Sequence, residues 1–202
     1  MSFDQATIDY YARAAPHYTA STAQGRHRPL DPFLDRLEAG ASVLELGCGC
    51  GADAAHMQKR GFRVDATDAA AAMARKARKR FDIPARVMRF DELEACQSYD
   101  AVWAHASLLH TPRNALPDIL GRIHRALKPA GWHFANFKLG DDAHPDEGRD
   151  LLGRWTNLPS PAWLEQTYAP AGFAVEEAER YRGNGSDGTQ RDWYALTVRK
   201  ID

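Results

Sequence analysis

Three glycines at alternate positions, Gly47, Gly49 and Gly51, follow a short apolar run whose one acid, Glu45, stands two residues before the first of them. Glycines spaced this way free the backbone and remove side chains, so a small ligand can lie against the main chain. The spacing is G-x-G-x-G, unlike the dinucleotide fingerprint G-x-G-x-x-G. Glu45 separates the ligands further. A carboxylate at the carboxyl end of a strand accepts from an ammonium group, directly or through water, and repels a pyrophosphate. Asp68 ends the next short strand-like segment, seventeen residues after Gly51, where an acid can accept both hydroxyls of a ribose. His105 and His110 follow a later run, and neutral imidazole can take a proton near pH 7. Packing or capping is the ordinary alternative role for such histidines. Cys48 and Cys50 are spaced C-x-C rather than C-x-x-C, so they read as small residues in a tight loop, with no metal site expected.

These residues need elements to hold them. Helical spacing over 4–18 places Ile8, Tyr11 and Ala15 on one stripe, and Pro16 ends or kinks the helix. A polar stretch with Gly25 and Pro29 leads to a second helix over 30–37, so residues 1–40 are expected to form a helical cap. From 41 the pattern becomes strand, glycine loop, helix (53–59), strand (62–68), helix (70–81), strand (85–90) and strand (99–104). That repetition predicts a parallel sheet with helices on both faces. A helix over 114–127 and a strand over 132–139 follow, then a polar stretch over 140–153, long for a connection and therefore a candidate functional loop in which Arg149 and Arg154 meet an acidic substrate. A last helix (161–169) precedes strands over 174–181 and 193–199, joined by a glycine-rich connector and so expected to be antiparallel.

The chain has 202 residues, which one domain accommodates without disulfides or metal. With 26 basic and 27 acidic residues it lacks the positive excess of a phosphate-binding surface, and nucleic acid is not the expected partner. The basic run Lys76, Arg78, Lys79 and Arg80 reads as a solvated helix face. Neither a secretory leader nor an apolar run of about 18 residues is visible, so a soluble cytoplasmic protein without a membrane partner is expected.

The set formed by Glu45, the glycine loop, Asp68 and the final antiparallel pair resembles the class I S-adenosylmethionine-dependent methyltransferases over nearly the whole chain. The segment Val43 to Gly51 is similar to the family's first motif, Asp68 to its ribose-binding acid, and Leu127-Lys128-Pro129-Ala130-Gly131 to its L-K-P-G-G turn, with Ala130 in place of one glycine. The stretch from Lys138 to Trp155 resembles the small bacterial branch that includes tellurite-resistance-type methyltransferases. The resemblance implies an α/β, Rossmann-like, doubly wound and mostly parallel seven-stranded sheet of order 3-2-1-4-5-7-6, its last strand antiparallel, as a single domain with residues 41–202 as the core. It implies S-adenosylmethionine as the cofactor, a small-molecule methyl acceptor as the partner, and a cofactor set of Glu45, Gly47, Cys48, Gly49, Asp68, Ala69, Arg89, Phe90, Ala104, His105, Tyr11 and Tyr18. Arg89 stands where family members often carry an acid near adenine, which leaves that contact to backbone groups at Phe90. His110 and His105 are the candidate bases. A catalytically idle cofactor-binding module and an NAD-dependent oxidoreductase are the alternatives, the second opposed by the loop spacing and Glu45.

Overall fold

The computed structural model describes residues 2–18, 29–140, 146–185 and 188–201. Gly25, the first residues of the polar stretch after 140, and the tip of the last connector lie outside them.

The chain builds a seven-stranded sheet around β1 (Ser42–Leu46), which pairs in parallel with β2 (Arg63–Asp68) and with β4 (Tyr99–Ala104). Val43, Leu44 and Leu46 have no exposed surface, as expected of a central strand covered on both faces. β3 (Arg86–Val87) forms one edge; β5 (Leu127–Lys138), β9 (Gln190–Lys200) and β8 (Phe173–Asn184) complete the order β3-β2-β1-β4-β5-β9-β8. β9 runs antiparallel to both its neighbours. With the sheet strands alone counted in chain order, this is the expected 3-2-1-4-5-7-6.

Helices cover both faces. α1 (Gln5–Ala14) starts at Asp4, whose carboxylate accepts from the Thr7 N–H at 2.8 Å. Its Ile8–Tyr11 stripe, with Ala15 just beyond its end, packs on Ala70 and Met73 at the start of α4 (Ala71–Phe81). The ammonium of Lys76 donates to the carbonyls of Ala15 and Pro16 just past the end of α1, and Arg78 to that of Ala85, so half of the basic run binds backbone carbonyls rather than only solvent. α2 (Leu30–Leu34) does not cap the site: Phe33 is buried in a cluster with Trp103 and Phe134, beside Met57 of α3 (Ala52–Lys59). α5 (Leu116–Ala126) buries Leu116, Ile119, Leu120 and Ile123 on the opposite face, together with Leu164 and Tyr168 of α6 (Pro161–Tyr168).

Three differences from the sequence expectation have local causes. β3 is two residues long because the chain turns at Phe90–Glu92, where the Arg89 N–H donates to the Glu92 carboxylate at 2.8 Å and the Glu92 N–H to the Arg89 carbonyl at 3.1 Å. β5 begins at Leu127 rather than 132: Leu127 pairs with Tyr99 and Trp132 with Ala101, so the Lys128–Pro129–Ala130–Gly131 turn bulges out opposite Asp100, where Lys128 binds that carboxylate at 2.8 Å. The polar stretch is partly a hairpin, β6 (Glu147–Arg149) with β7 (Trp155–Asn157).

Candidate functional site

The parallel strands end on one side of the sheet, where a cavity of about 730 Å³ opens beneath α1. That size lies in the upper part of the ~300–1,000 Å³ range of small-molecule sites.

The glycine loop forms the cavity's first wall. All three glycines have positive φ, yet they serve different neighbours. A Cβ on Gly47 would stand 2.5 Å from Cβ of Ser107, and one on Gly51 would stand 2.8 Å from Cβ of Ala77 in α4. Those two therefore close the loop onto the protein, and Gly49 is the one whose missing side chain opens the cavity, its nearest neighbour being Tyr18 at 3.8 Å.

Glu45 is 3% exposed, and its Oε2 has no hydrogen-bond partner among the described residues. Burial first, then the neighbouring Asp53, Asp68 and Cys50, push its carboxyl well above the ordinary range, although the Ala54 N–H opposes this. Asp68 accepts from the backbone N–H groups of Gly49 at 2.9 Å and Ala70 at 2.8 Å. Burial outweighs those donors and pushes its carboxyl up to about 6. Trp103 has no exposed surface and stacks on Phe134, while its indole N–H donates to Asp53 at 2.9 Å. Burial also pushes the Cys48 thiol up.

The loop after β4 forms the floor. Ala106 adopts φ 49°, and its N–H donates to Asn136 Oδ1 at 2.6 Å, which holds the strained residue in place. His105 stacks almost parallel to Trp103, at 8° and 5.8 Å between centroids. Ser107 Oγ and Thr111 Oγ1 are buried without a partner among the described residues, and both residues line the cavity.

α1 and the hairpin close the top. His110 Nδ1 lies 2.6 Å from the Trp155 carbonyl, which can only accept, so Nδ1 carries the proton and the Tyr11 hydroxyl donates to Nε2 at 2.8 Å. Arg154, 1% exposed and bound to Asp150 at 2.6 Å, donates to the same hydroxyl at 2.9 Å. Burial pushes the His110 imidazole down to about 4, with the charges of Arg154 and Lys138 acting in the same direction. Arg149 binds Asp4 at 2.8 Å, and the Trp155 N–H donates to Thr7 Oγ1 at 2.7 Å.

Of the residues singled out from sequence, Glu45, Gly47, Cys48, Gly49, Asp68, Ala69, Arg89, Phe90, His105, His110, Tyr11 and Tyr18 all line this cavity. Ala104 does not: it is fully buried, paired with Ala135, one residue before the strand opens. Arg89 is bound to Asp91 at 2.9 Å and Glu92 at 3.0 Å, with Phe3 against its guanidinium. Asp53, Ser107, Asn136, Lys138, Tyr181 and Trp193 line the cavity without having been singled out as site residues. Asn136 and Lys138 carried a readable signal, since they are polar residues two apart at the carboxyl end of an otherwise apolar strand.

Residues 43–131 match the family model described as a methyltransferase domain. Over 131 residues the chain is 31% identical to the malonyl-[acyl-carrier protein] O-methyltransferase of Enterobacter lignolyticus, which covers 63% of this chain and 51% of that protein. Over 149 residues it is 32% identical to the ubiquinone biosynthesis O-methyltransferase of Xanthomonas oryzae pv. oryzae, covering 66% and 61%. The chain thus spans about half to three fifths of these relatives' lengths. The 1,6-didemethyltoxoflavin-N1-methyltransferase of Burkholderia thailandensis, solved with its substrate and S-adenosylhomocysteine, superposes with a TM-score of 0.70 at 23% identity over 97% of this chain and 91% of that one. These matches do not bear on the tellurite-resistance resemblance.

Proposed function

We infer that this chain is a class I S-adenosylmethionine-dependent methyltransferase and transfers a methyl group from S-adenosylmethionine to a small-molecule acceptor. The observation that carries the reading is the pairing of Glu45 and Asp68 across Gly49 in one cavity, with Glu45 Oε2 buried and unpartnered among the described residues. A buried carboxylate held above its ordinary range regains its charge when a cation is brought to it, which fits the amino group of the cofactor. Asp68 has both oxygens fixed by backbone donors and keeps a second lone pair on each for ribose hydroxyls. Phe90 and Phe3, which both line the cavity, are the apolar setting for adenine, since Arg89 is committed to Asp91 and Glu92.

Bound there, S-adenosylmethionine supplies a methyl carbon activated by positive sulfur. The protein's own task is then to align and desolvate the acceptor more than to ionise it. His110 is a weak base with both ring nitrogens engaged, so it positions the Tyr11 hydroxyl. His105, on the floor beside Ala106, is the side chain placed to take a proton from an acceptor that brings one.

The test is titration calorimetry with S-adenosylmethionine and with NAD, followed by assay of S-adenosylhomocysteine formation from pooled small-molecule acceptors. Binding of S-adenosylmethionine and product formation are expected. Tighter binding of NAD would sink the reading, and cofactor retention without product from any pool would turn it toward an idle binding module. Loss of turnover with intact cofactor binding in His105→Ala is the result the base role requires.

A further inference from the structure

One side-chain amide ties the floor of the cavity to its far wall. Asn136, 1% exposed, reaches the cavity from β5, and Tyr181 reaches it from β8, on the other side of β9. The Ala106 N–H can only donate, so the Asn136 atom 2.6 Å from it is the amide oxygen. The amide nitrogen therefore faces Tyr181 and donates to its hydroxyl at 2.8 Å. That fixes the direction of the next hydrogen, because a hydroxyl oxygen that accepts from Asn136 carries its own proton away from it. Among the described residues no other group meets the Tyr181 hydroxyl, and Tyr181 lines the cavity.

Both ends of this chain of bonds are held rigidly. The Tyr181 ring stacks on Trp193, 12° from parallel with centroids 6.2 Å apart, and the Trp193 indole N–H donates to the Gly183 carbonyl at 3.3 Å. At the other end Ala106 sits at φ 49°, a conformation that an alanine keeps only where its surroundings impose it. Burial raises the Tyr181 phenol above its ordinary value, although the Asn136 bond opposes this, so the proton stays on its oxygen at neutral pH. The far wall thus presents a fixed hydrogen-bond donor, next to the floor loop that carries His105 and Ser107.

We propose that Tyr181 is a specificity-determining residue of the methyl-acceptor site and that it selects a flat molecule bearing a carbonyl oxygen, which takes the hydroxyl proton in a hydrogen bond. The assignment rests on the methyltransferase reading of the cavity. A donor aimed at the nucleophile itself would hold back the lone pair that attacks the methyl carbon, so the carbonyl is a recognition group beside the nucleophile. An analogue without that carbonyl leaves the phenol proton unpaired, which is how a site built around a hydrogen bond rejects it.

Titration calorimetry with coumarin and 2H-chromene, which differ by one carbonyl, tests it in the presence of S-adenosylhomocysteine and again without it. In the native chain coumarin is expected to bind at least about fivefold more tightly. Tyr181→Phe keeps the ring, removes the donor and should erase the preference. Asn136→Asp should erase it by another route: a carboxylate still accepts from the Ala106 N–H but also accepts the Tyr181 proton, which turns the donor away from the cavity. Equal binding of the two probes, no binding of coumarin, or an undiminished preference in either variant overturns the proposal, and Tyr181→Phe decides by itself if Asn136→Asp does not fold. Failure of the native chain to bind S-adenosylhomocysteine counts against the cofactor reading; the cofactor-free titration still decides the donor site.

Discussion

Glu45 is the residue at which recognition and stability oppose each other. Its carboxyl is raised in the folded state by burial and by neighbouring acids, so at any pH above its unfolded value the native state bears a cost that disappears only below that value, where both states are protonated. Glu45→Gln is therefore expected to raise the ligand-free Tm by about 2–8 °C at pH 8, a gain that shrinks to nothing as pH falls to about 4.5. The same change should weaken S-adenosylmethionine binding about 10- to 100-fold, by loss of a charge-assisted bond. Scanning calorimetry at the two pH values and titration calorimetry at pH 8 check both halves. Tyr11 is the opposite case, because its hydroxyl satisfies His110 and Arg154 at once. Tyr11→Phe leaves both without that partner and should lower the Tm by about 3–10 °C, measured by scanning calorimetry at pH 7.5. Glu45 and Asp68 were legible from sequence because Glu45 is the one acid in the apolar run before the glycine loop and Asp68 ends the next predicted strand. Lys138 is a polar residue at the end of a mostly apolar strand, but Trp193 and Tyr181, which lie across from it, are far along the chain and meet it only through strand register.

At the scale of elements, the turn and the loop show how backbone conformation is traded against side-chain chemistry. Ala130 stands at φ 57° in the bulged turn before the core of β5, a conformation glycine adopts without penalty. Ala130→Gly should therefore gain up to about 1 kcal/mol, seen as a urea midpoint shifted upward. Gly47→Ala should do the reverse. It meets both a φ of 81° and the Ser107 side chain at 2.5 Å, whereas Gly40, at φ 74°, faces open space. Gly40→Ala should cost about 1–2 kcal/mol from backbone strain alone, and Gly47→Ala more, with a loss of cofactor affinity that Gly40→Ala does not share; urea unfolding and titration calorimetry separate the two. Most elements could be read from periodicity and from Gly and Pro punctuation, β4 with its bounds intact. The β6–β7 hairpin could not, because its strands are three residues each and too polar to show a two-residue pattern. It forms by leaning on α1, through Thr7 and Asp4, and on His110.

Across the whole molecule, burial sets the response to acid. His133 has no exposed surface, lies between the Val102 carbonyl and the Tyr168 hydroxyl, and is pushed down to about 4 by burial. Its unfolded form takes a proton as pH falls through about 6.5 while the folded form does not until about 4, so stability is lost across that window, by on the order of 3 kcal/mol. Asp68, raised to about 6, changes stability in the opposite sense between about 6 and 4, and His110 and Glu45 titrate as well, so a native pH curve alone mixes several groups. His133→Gln does not titrate; its stability deficit against the native chain should narrow by that amount between pH 7 and pH 4.5 in urea unfolding. Among the described residues no helix is long and apolar enough to cross a membrane. By itself the sequence determined the alternation of strands and helices, the glycine loop and its two acids, because these rest on local periodicity and on short motifs, while the strand order was only what the family resemblance implied. The tertiary structure alone decided that Gly47 and Gly51 serve packing, that α2 belongs to the core, that His110 is held by Tyr11, and that Lys138, Trp193 and Tyr181 share one face. Each of these depends on which strands become neighbours and in what register, and long-range pairing leaves no periodic trace in a single chain.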